Sequence, residues 1–233
     1  MGVVRTVLFY LVFGIISLIL VPLMALVSLL SERIPRYGAH LWSMAFVWTA
    51  RVFLGIRLVV RGRVPQTAVL VAAKHQSYYE AILTLCLFDH AAVVMKAELH
   101  RIPLWGFIAK RQGSIFVDRA QRGTALRAML KQAQTRAAEN RPIFIFPEGT
   151  RTAVGTAPPL RAGLFALYRA LELPLVPVAL DSGCCWGKEF AKRPGTITIS
   201  FLPEIPPELP RSELNARVHA AINQDPVSAE VRS

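Results

Sequence analysis

The sequence predicts an α/β protein tied to a membrane by its N-terminus, and three observations carry that expectation. Beyond residue 60, short apolar runs alternate with helix-like segments, the pattern of a sheet covered by helices. Residues 7–30 contain no charged side chain. The chain of 233 residues is 53% apolar, with a mean hydropathy of +0.40, yet its formal charge is +12. That combination excludes a disordered or collagen-like chain and is too apolar for an ordinary soluble domain.

As a helix rising roughly 1.5 Å per residue, the N-terminal run is long enough to cross a hydrocarbon layer of roughly 30 Å. A cleaved signal peptide fits less well, because the run is too long and no small-x-small cleavage site follows. Pro22 lies inside it, which predicts a kink or a helical hairpin that enters one leaflet and returns. Arg5 precedes the run, whereas Arg33, Arg36, Arg51, Arg57, Arg61 and Arg63 follow closely. The positive-inside tendency then puts the large C-terminal part in the cytoplasm, at the inner (cytoplasmic) membrane. Residues 40–60 mix Trp42, Phe46, Trp48 and Phe53 with Arg51 and Arg57, which suits either the headgroup layer or an amphipathic helix against the core. The expected division is 1–60 for membrane anchoring, 61–210 for a single α/β domain, and 211–233 for a helix and tail.

Within that domain, residues 68–73 form an apolar run that stops at a polar turn over 74–77, so they read as a buried strand followed by a helix to residue 87. Residues 91–95 and 114–117 read as further strands. Strong helix formers fill 124–139 and end at Asn140-Arg141-Pro142, a stop followed by a new start. A strand at 143–146 feeds Pro147-Glu148-Gly149-Thr150-Arg151. After a loop at 155–159, a helix is expected over 163–171, strands over 175–180 and 196–201, and a last helix over 212–223.

Cys86, Cys184 and Cys185 make no disulfide framework, which suits a reducing compartment. With no C-x-x-C or H-E-x-x-H spacing and scattered histidines, no bound metal is expected. The arginines are dispersed and no zinc-finger, basic-zipper or RNA-recognition pattern is present, so the charge points to an anionic membrane surface and not to nucleic acid.

Candidate chemistry sits at the ends of the expected strands, where ligands gather in α/β folds. His75 follows the first buried strand and Glu80 comes five residues later. Those positions lie about 140° apart on an ideal helix, so the side chains meet only if His75 precedes the helix and Glu80 opens it. Ser77-x-x-Glu80 is equally a capping box, in which the acid serves a backbone N–H. Gly149 permits a tight turn and Arg151 offers a fork that matches phosphate oxygens. The strand at 114–117 ends in Asp118-Arg119, readable as a plain surface ion pair. Together these three strand ends predict a base in one loop and phosphate-binding groups in the others.

Lys74-His75-Gln76-Ser77 with Glu80, Leu104-Trp105-Gly106, Gly113 to Arg119, Phe146 to Arg151, and Val176-Pro177-Val178-Ala179-Leu180 occur in order. Over about residues 60 to 205 this resembles the glycerolipid acyltransferase family, specifically the bacterial 1-acyl-sn-glycerol-3-phosphate acyltransferases. The resemblance implies a mixed, mostly parallel sheet flanked by helices, with 61–210 as the acyltransferase domain. Glu80 stands where aspartate is commoner, Lys96 matches a family lysine, and Arg161 stands where many members have lysine. The implied reaction moves an acyl group from acyl-CoA or acyl carrier protein, as co-substrate, to the sn-2 hydroxyl of lysophosphatidic acid, with no bound cofactor. His75 is then the general base and Glu80 its orienting acid, while Lys96, Arg151 and Arg119 take the phosphate. Glu148, Gly149 and Thr150 belong to the same substrate-binding turn: Glu148 binds glycerol or braces the loop, and N–H groups around Glu148 and Gly149 are candidates for an oxyanion site. Other readings remain at this stage: another lyso-lipid acceptor such as lyso-ornithine lipid, thioester hydrolysis, or a non-catalytic module that binds anionic lipid.

Overall fold

The computed structural model describes residues 2–31, 34–118 and 122–232. Two helices come first, α1 (Gly2–Val27) and α2 (Ile34–Thr49). A π-helical turn, Ala50–Leu54, follows and ends at Gly55, whose left-handed backbone (φ 70°) brings its N–H onto the Ala50 carbonyl. The α/β part then runs β1 (Ile56–Arg61), β2 (Leu70–Ala73), α3 (Tyr79–Leu87), β3 (Ala92–Lys96), α4 (Trp105–Gln112), β4 (Ile115–Val117), α5 (Arg122–Ala138), β5 (Ile143–Ile145), α6 (Ala162–Leu171), β6 (Leu175–Leu180), β7 (Gly195–Phe201) and α7 (Arg211–Ile222).

The strands form one seven-stranded sheet in the order β1-β7-β6-β2-β5-β3-β4. Only the β6 and β7 pairing is antiparallel among these, so β6, β2, β5, β3 and β4 all run the same way. Their carboxyl ends share one edge, with β2 between β5 and β6. Alternate residues of the central strands face opposite layers. Val71, Ala73, Val176 and Val178 meet Phe9, Phe46, Leu83 and Trp186 on one face. Leu70, Ala72 and Leu175 meet Met129, Leu164, Leu167 and Leu214 on the other. Both faces are covered, which is why β2 and β6 are apolar and buried throughout.

Two expectations about the N-terminal region are corrected. Residues 40–60 are not one helix: α2 stops at Thr49, and Ile56–Arg61 is an edge strand paired in parallel with β7. Gly55 breaks the helix, and Ile-Arg-Leu-Val-Val-Arg then favours extended backbone. The chain does form a helical hairpin, but Pro22 is not its turn. α1 continues through Pro22, at the cost of the N–H that would bond the Leu18 carbonyl. The reversal comes after Val27, and α2 packs back along α1: Met24 lies under Gly38, Ser17 Oγ accepts from Trp42 Nε1 at 2.9 Å, and Phe9 and Phe13 meet Phe46.

α1 is long and apolar enough to cross a membrane by length and composition. It is also docked on the domain at both ends. Thr6 Oγ1 accepts from the Lys192 N–H at 3.0 Å, and Met24 and Ala25 pack on Ile108. Phe9 is fully buried and meets Trp186 edge to face at 5.4 Å. Phe9→Ala should therefore lower the unfolding free energy of the whole α/β part by about 3–5 kcal/mol, measured as denaturant unfolding in a neutral detergent. An unchanged midpoint would mean that α1 is only a tether.

Candidate active site

The common direction of β2, β5, β3 and β6 brings their outgoing loops together. β2 leads to His75, β5 to Pro147-Glu148-Gly149-Thr150-Arg151, β3 ends on Lys96, and β6 leads to Ser182.

His75 lies before α3 and Glu80 in its first turn, so the two side chains meet, with His75 Nδ1 2.9 Å from Glu80 Oε1. A carboxylate only accepts, so the proton of the neutral ring tautomer that fits this contact sits on Nδ1, which leaves the Nε2 lone pair for a substrate. Glu80 Oε1 also accepts from the backbone N–H groups of Gln76 and Ser77, each at 2.7 Å. Oε2 accepts from the Ser77 hydroxyl and from the Ser182 hydroxyl, the latter at 2.6 Å. One carboxylate thus performs the capping role and orients the histidine. Burial alone would raise the Glu80 carboxyl; the hydrogen bond and charge of His75, with the hydroxyls of Ser182 and Ser77, outweigh it and hold the pKa below its ordinary value.

The loop after β5 fixes the backbone of His75. Glu148, 1% exposed, accepts the His75 N–H at 3.1 Å through Oε2, and the Thr152 N–H donates to the His75 carbonyl at 2.8 Å. The imidazole stacks on Phe146 with centroids 4.1 Å apart. Glu148 Oε1 pairs with Lys74 Nζ at 2.5 Å, and the same ammonium donates to the Thr156 carbonyl and to Asn223 Oδ1, both at 2.6 Å. Glu148 therefore braces the loop and does not line the cavity beside it. Nor is the Gly149 N–H available for an oxyanion, because it donates to the Phe146 carbonyl at 3.0 Å and closes the turn. The positive φ of Gly149, 72°, makes that turn possible.

That cavity measures about 1060 Å³ and is lined by His75, Lys96, Gly149, Thr150 and Arg151 of the sequence-predicted set. Arg119 lies outside the described residues. Arg161 joins Lys96 and Arg151 on the lining, all three exposed, and no carboxylate lines the cavity among the described residues. Most of the remaining wall is apolar and comes from as far as Val21 and Met24 on α1, Trp42 on α2, Ile108 on α4 and Met129 on α5. Tyr78 also lines it, its hydroxyl 2.7 Å from that of Tyr10. Burial, then the Tyr10 hydrogen bond, raise the Tyr78 phenol and keep it protonated. Among the described residues no group of three or more His, Cys, Asp or Glu side chains could hold a metal ion.

Sequence reasoning did not assign Lys74, Ser182 or Phe146. A lysine closing a wholly apolar strand was a visible signal, since buried ammonium needs an acid. Ser182 had none, because it reaches Glu80 only through the adjacency of β6 and β2.

A histidine–carboxylate pair on a parallel sheet, beside a cationic rim and a long apolar cavity, defines an enzyme site for an amphiphilic anion. The model of the acyltransferase family matches residues 56–181. The 1-acyl-sn-glycerol-3-phosphate acyltransferase of Pseudomonas aeruginosa is 33% identical over 95% of this chain and 90% of its own length. The mouse 1-acyl-sn-glycerol-3-phosphate acyltransferase alpha is 30% identical over 68% of the chain, which spans 58% of that longer protein. The crystal structure of the 1-acyl-sn-glycerophosphate (LPA) acyltransferase, PlsC, from Thermotoga maritima has the same fold, with a TM-score of 0.77 at 22% identity and coverage of 96% and 95%. The chain belongs to the acyltransferase family, and its apolar N-terminal helix is consistent with a membrane association.

Two outcomes test the bracing groups. Lys74→Met should cost about 3–5 kcal/mol by leaving Glu148 buried and unpaired; the double change Lys74→Met with Glu148→Met should recover much of that stability without recovering turnover. Because the folded pKa of Glu80 is lowered, its contribution to stability is complete above the ordinary carboxylate value of 4.5 and is lost as pH falls through the folded value. Urea unfolding at neutral and acid pH should show a shallower acid loss for Glu80→Gln than for the unaltered chain; parallel losses would refute the assignment.

Proposed function

We propose that the protein transfers an acyl group from acyl-CoA or acyl carrier protein to the sn-2 hydroxyl of 1-acyl-sn-glycerol 3-phosphate, giving phosphatidic acid. The observation that carries this reading is the cavity itself, which joins the His75 ring, a rim of Lys96, Arg151 and Arg161, and a largely apolar wall around about 1060 Å³, room for an acyl tail. The names of the relatives point to the same acceptor.

In the reaction, His75 Nε2 takes the proton of the acceptor hydroxyl as its oxygen attacks the thioester carbon. Collapse of the tetrahedral intermediate breaks the C–S bond, and the imidazolium returns the proton to the departing thiolate. Glu80 steadies the imidazolium while remaining ionised. Lys96 and Arg151 hold the acceptor phosphate, with Arg119 as a third contact. Thr150 and Gly149 shape the turn beside it, and Glu148 keeps the His75 peptide in place. No acyl-enzyme is needed, because the alcohol is the nucleophile.

The hairpin lies in one leaflet in this reading. α1 touches the domain at Thr6 and at Met24, points about 27 Å apart along a helix, so it lies along the domain and does not project from it. Its outer stripe, Val4, Leu11, Ile15, Leu18 and Leu26, is 50% or more exposed, as are Leu41 and Trp48 of α2. Residues 1–60 then seat the enzyme on the inner membrane, 61–210 perform the transfer facing the cytoplasm, and 211–233 cover the back of the sheet.

The test is a purified chain given labelled lysophosphatidic acid with each donor separately. His75→Ala should retain membrane attachment and lose about 10²- to 10⁴-fold in turnover. Arg151→Ala and Lys96→Ala should each raise KM for the acceptor about tenfold or more, the worth of one charge-assisted contact. Retained turnover in His75→Ala would sink the mechanism, and an unchanged KM in both cation variants would move the acceptor to one without phosphate.

A further inference from the structure

α4 has two working faces. Ile108, Ala109 and Gln112 line the reaction cavity, whereas Phe107, Lys110 and Arg111 line a second concavity of about 720 Å³ on the other side of the same helix. Arg36 of α2, Arg101 of the short helix Ala97–Arg101, Arg136 of α5 and Arg141 complete its cationic lining. Glu139 is the sole carboxylate on that lining among the described residues, and Arg136 and Arg141 already hold it at 2.6 and 3.3 Å.

Arg141 is spent structurally: it is 1% exposed and donates to the carbonyls of His90 and Gln112, each at 2.7 Å. Three of its neighbours have no carboxylate partner. Arg101, Lys110 and Arg111 make no ion pair among the described residues. The Nε atoms of Arg36 and Arg111 are buried with no hydrogen-bond partner. The crowding is felt nearby: burial first, then the charge of Arg36, lowers the Arg141 guanidinium to about 10. Like charges held together in a concavity attract an anion with several acceptor oxygens.

The surroundings say which anion. Ile102, Leu104 and Phe107 edge the pocket and are 45%, 46% and 39% exposed. Arg36 belongs to the first turns of α2, inside the hairpin that carries the membrane face. Cations beside exposed apolar side chains are the arrangement of the headgroup layer. We propose that this outer pocket binds the phosphate group of an anionic phospholipid of the host membrane, bracing the α4 wall of the reaction cavity from outside. The proposal rests on the membrane reading above but not on the identity of the acceptor.

The test measures binding of dihexanoyl phosphatidylglycerol to the full chain in neutral detergent by calorimetry, with glycerol 3-phosphate as the free-phosphate arm. Arg101→Gln/Lys110→Gln/Arg111→Gln should weaken the lipid about tenfold or more. Lys131→Gln/Arg169→Gln/Arg211→Gln, which removes equal charge from exposed sites elsewhere, should change it by less than about twofold. Should the first triple variant fail to fold, Arg101→Gln/Lys110→Gln, both exposed, carries the same expectation. Equal weakening by both triple variants would overturn the site in favour of the general field. Equal affinity for glycerol 3-phosphate would overturn the lipid as ligand. Loss of lipid binding in Arg151→Ala, with retention in the pocket variants, would put the lipid in the reaction cavity. Competition by an acidic carrier protein without lipid binding would make the pocket a protein dock. The binding readout needs no turnover, so its failure is separable from failure of the acyltransfer reading.

Discussion

A buried carboxylate at Glu80 governs the geometry of this site. An ionised acid withdrawn from water is tolerated only where donors surround it, and here the donors come from His75, from the backbone of Gln76 and Ser77, and from the hydroxyls of Ser77 and Ser182. Meeting that demand starts α3, fixes the tautomer of His75, and draws the loop after β6 against the loop after β2. Structural and chemical demands on the residue therefore coincide. A glutamate at this position reaches all of these partners without moving the histidine off the end of β2.

A second buried charge pair sits behind the first. Lys74 and Glu148 neutralise each other, and their remaining hydrogen bonds fasten the His75 peptide to the loop after β5 and to Asn223 beyond α7. Arg151 follows Glu148 by three residues in that loop, so the cation at the cavity rim is registered against the imidazole through a short, rigid path. Placement of this kind is what a reaction between two substrates needs most, since orientation is a large part of the barrier.

The strands that carry the site were legible because each is a short, wholly apolar run with polar residues at its outgoing end: 68–73, 143–146 and 175–180 lie within a residue or two of β2, β5 and β6. The meeting of His75 with Glu80 followed from helix geometry once Gln76-Ser77 was read as a break. What escaped was nonlocal. β1 looked like the end of a headgroup-layer segment or amphipathic helix because Arg57, like Arg51, interrupts apolar residues, and only pairing with β7, more than a hundred residues later, makes it a strand. Ser182 likewise gains meaning only from the β6 and β2 pairing. Pro22 drew the hairpin to itself, whereas α1 tolerates one missing N–H and the reversal came later, after Val27.

The cationic rim and the apolar hairpin border one cavity. The cavity wall runs from α1 and α2 to α5, so the apolar hairpin is also part of the wall beside His75. Drawing a lipid tail through water would cost about 0.8 kcal/mol per methylene, roughly 10 kcal/mol for a dozen. In the acyltransfer reading proposed above, a chamber walled in part by the hairpin lets the tail pass from the leaflet into protein without that exposure, while the phosphate stays at the rim of Lys96, Arg151 and Arg161. On that proposal anchoring and catalysis share one construction, and changes in α1 or α2 should act on turnover as well as on attachment.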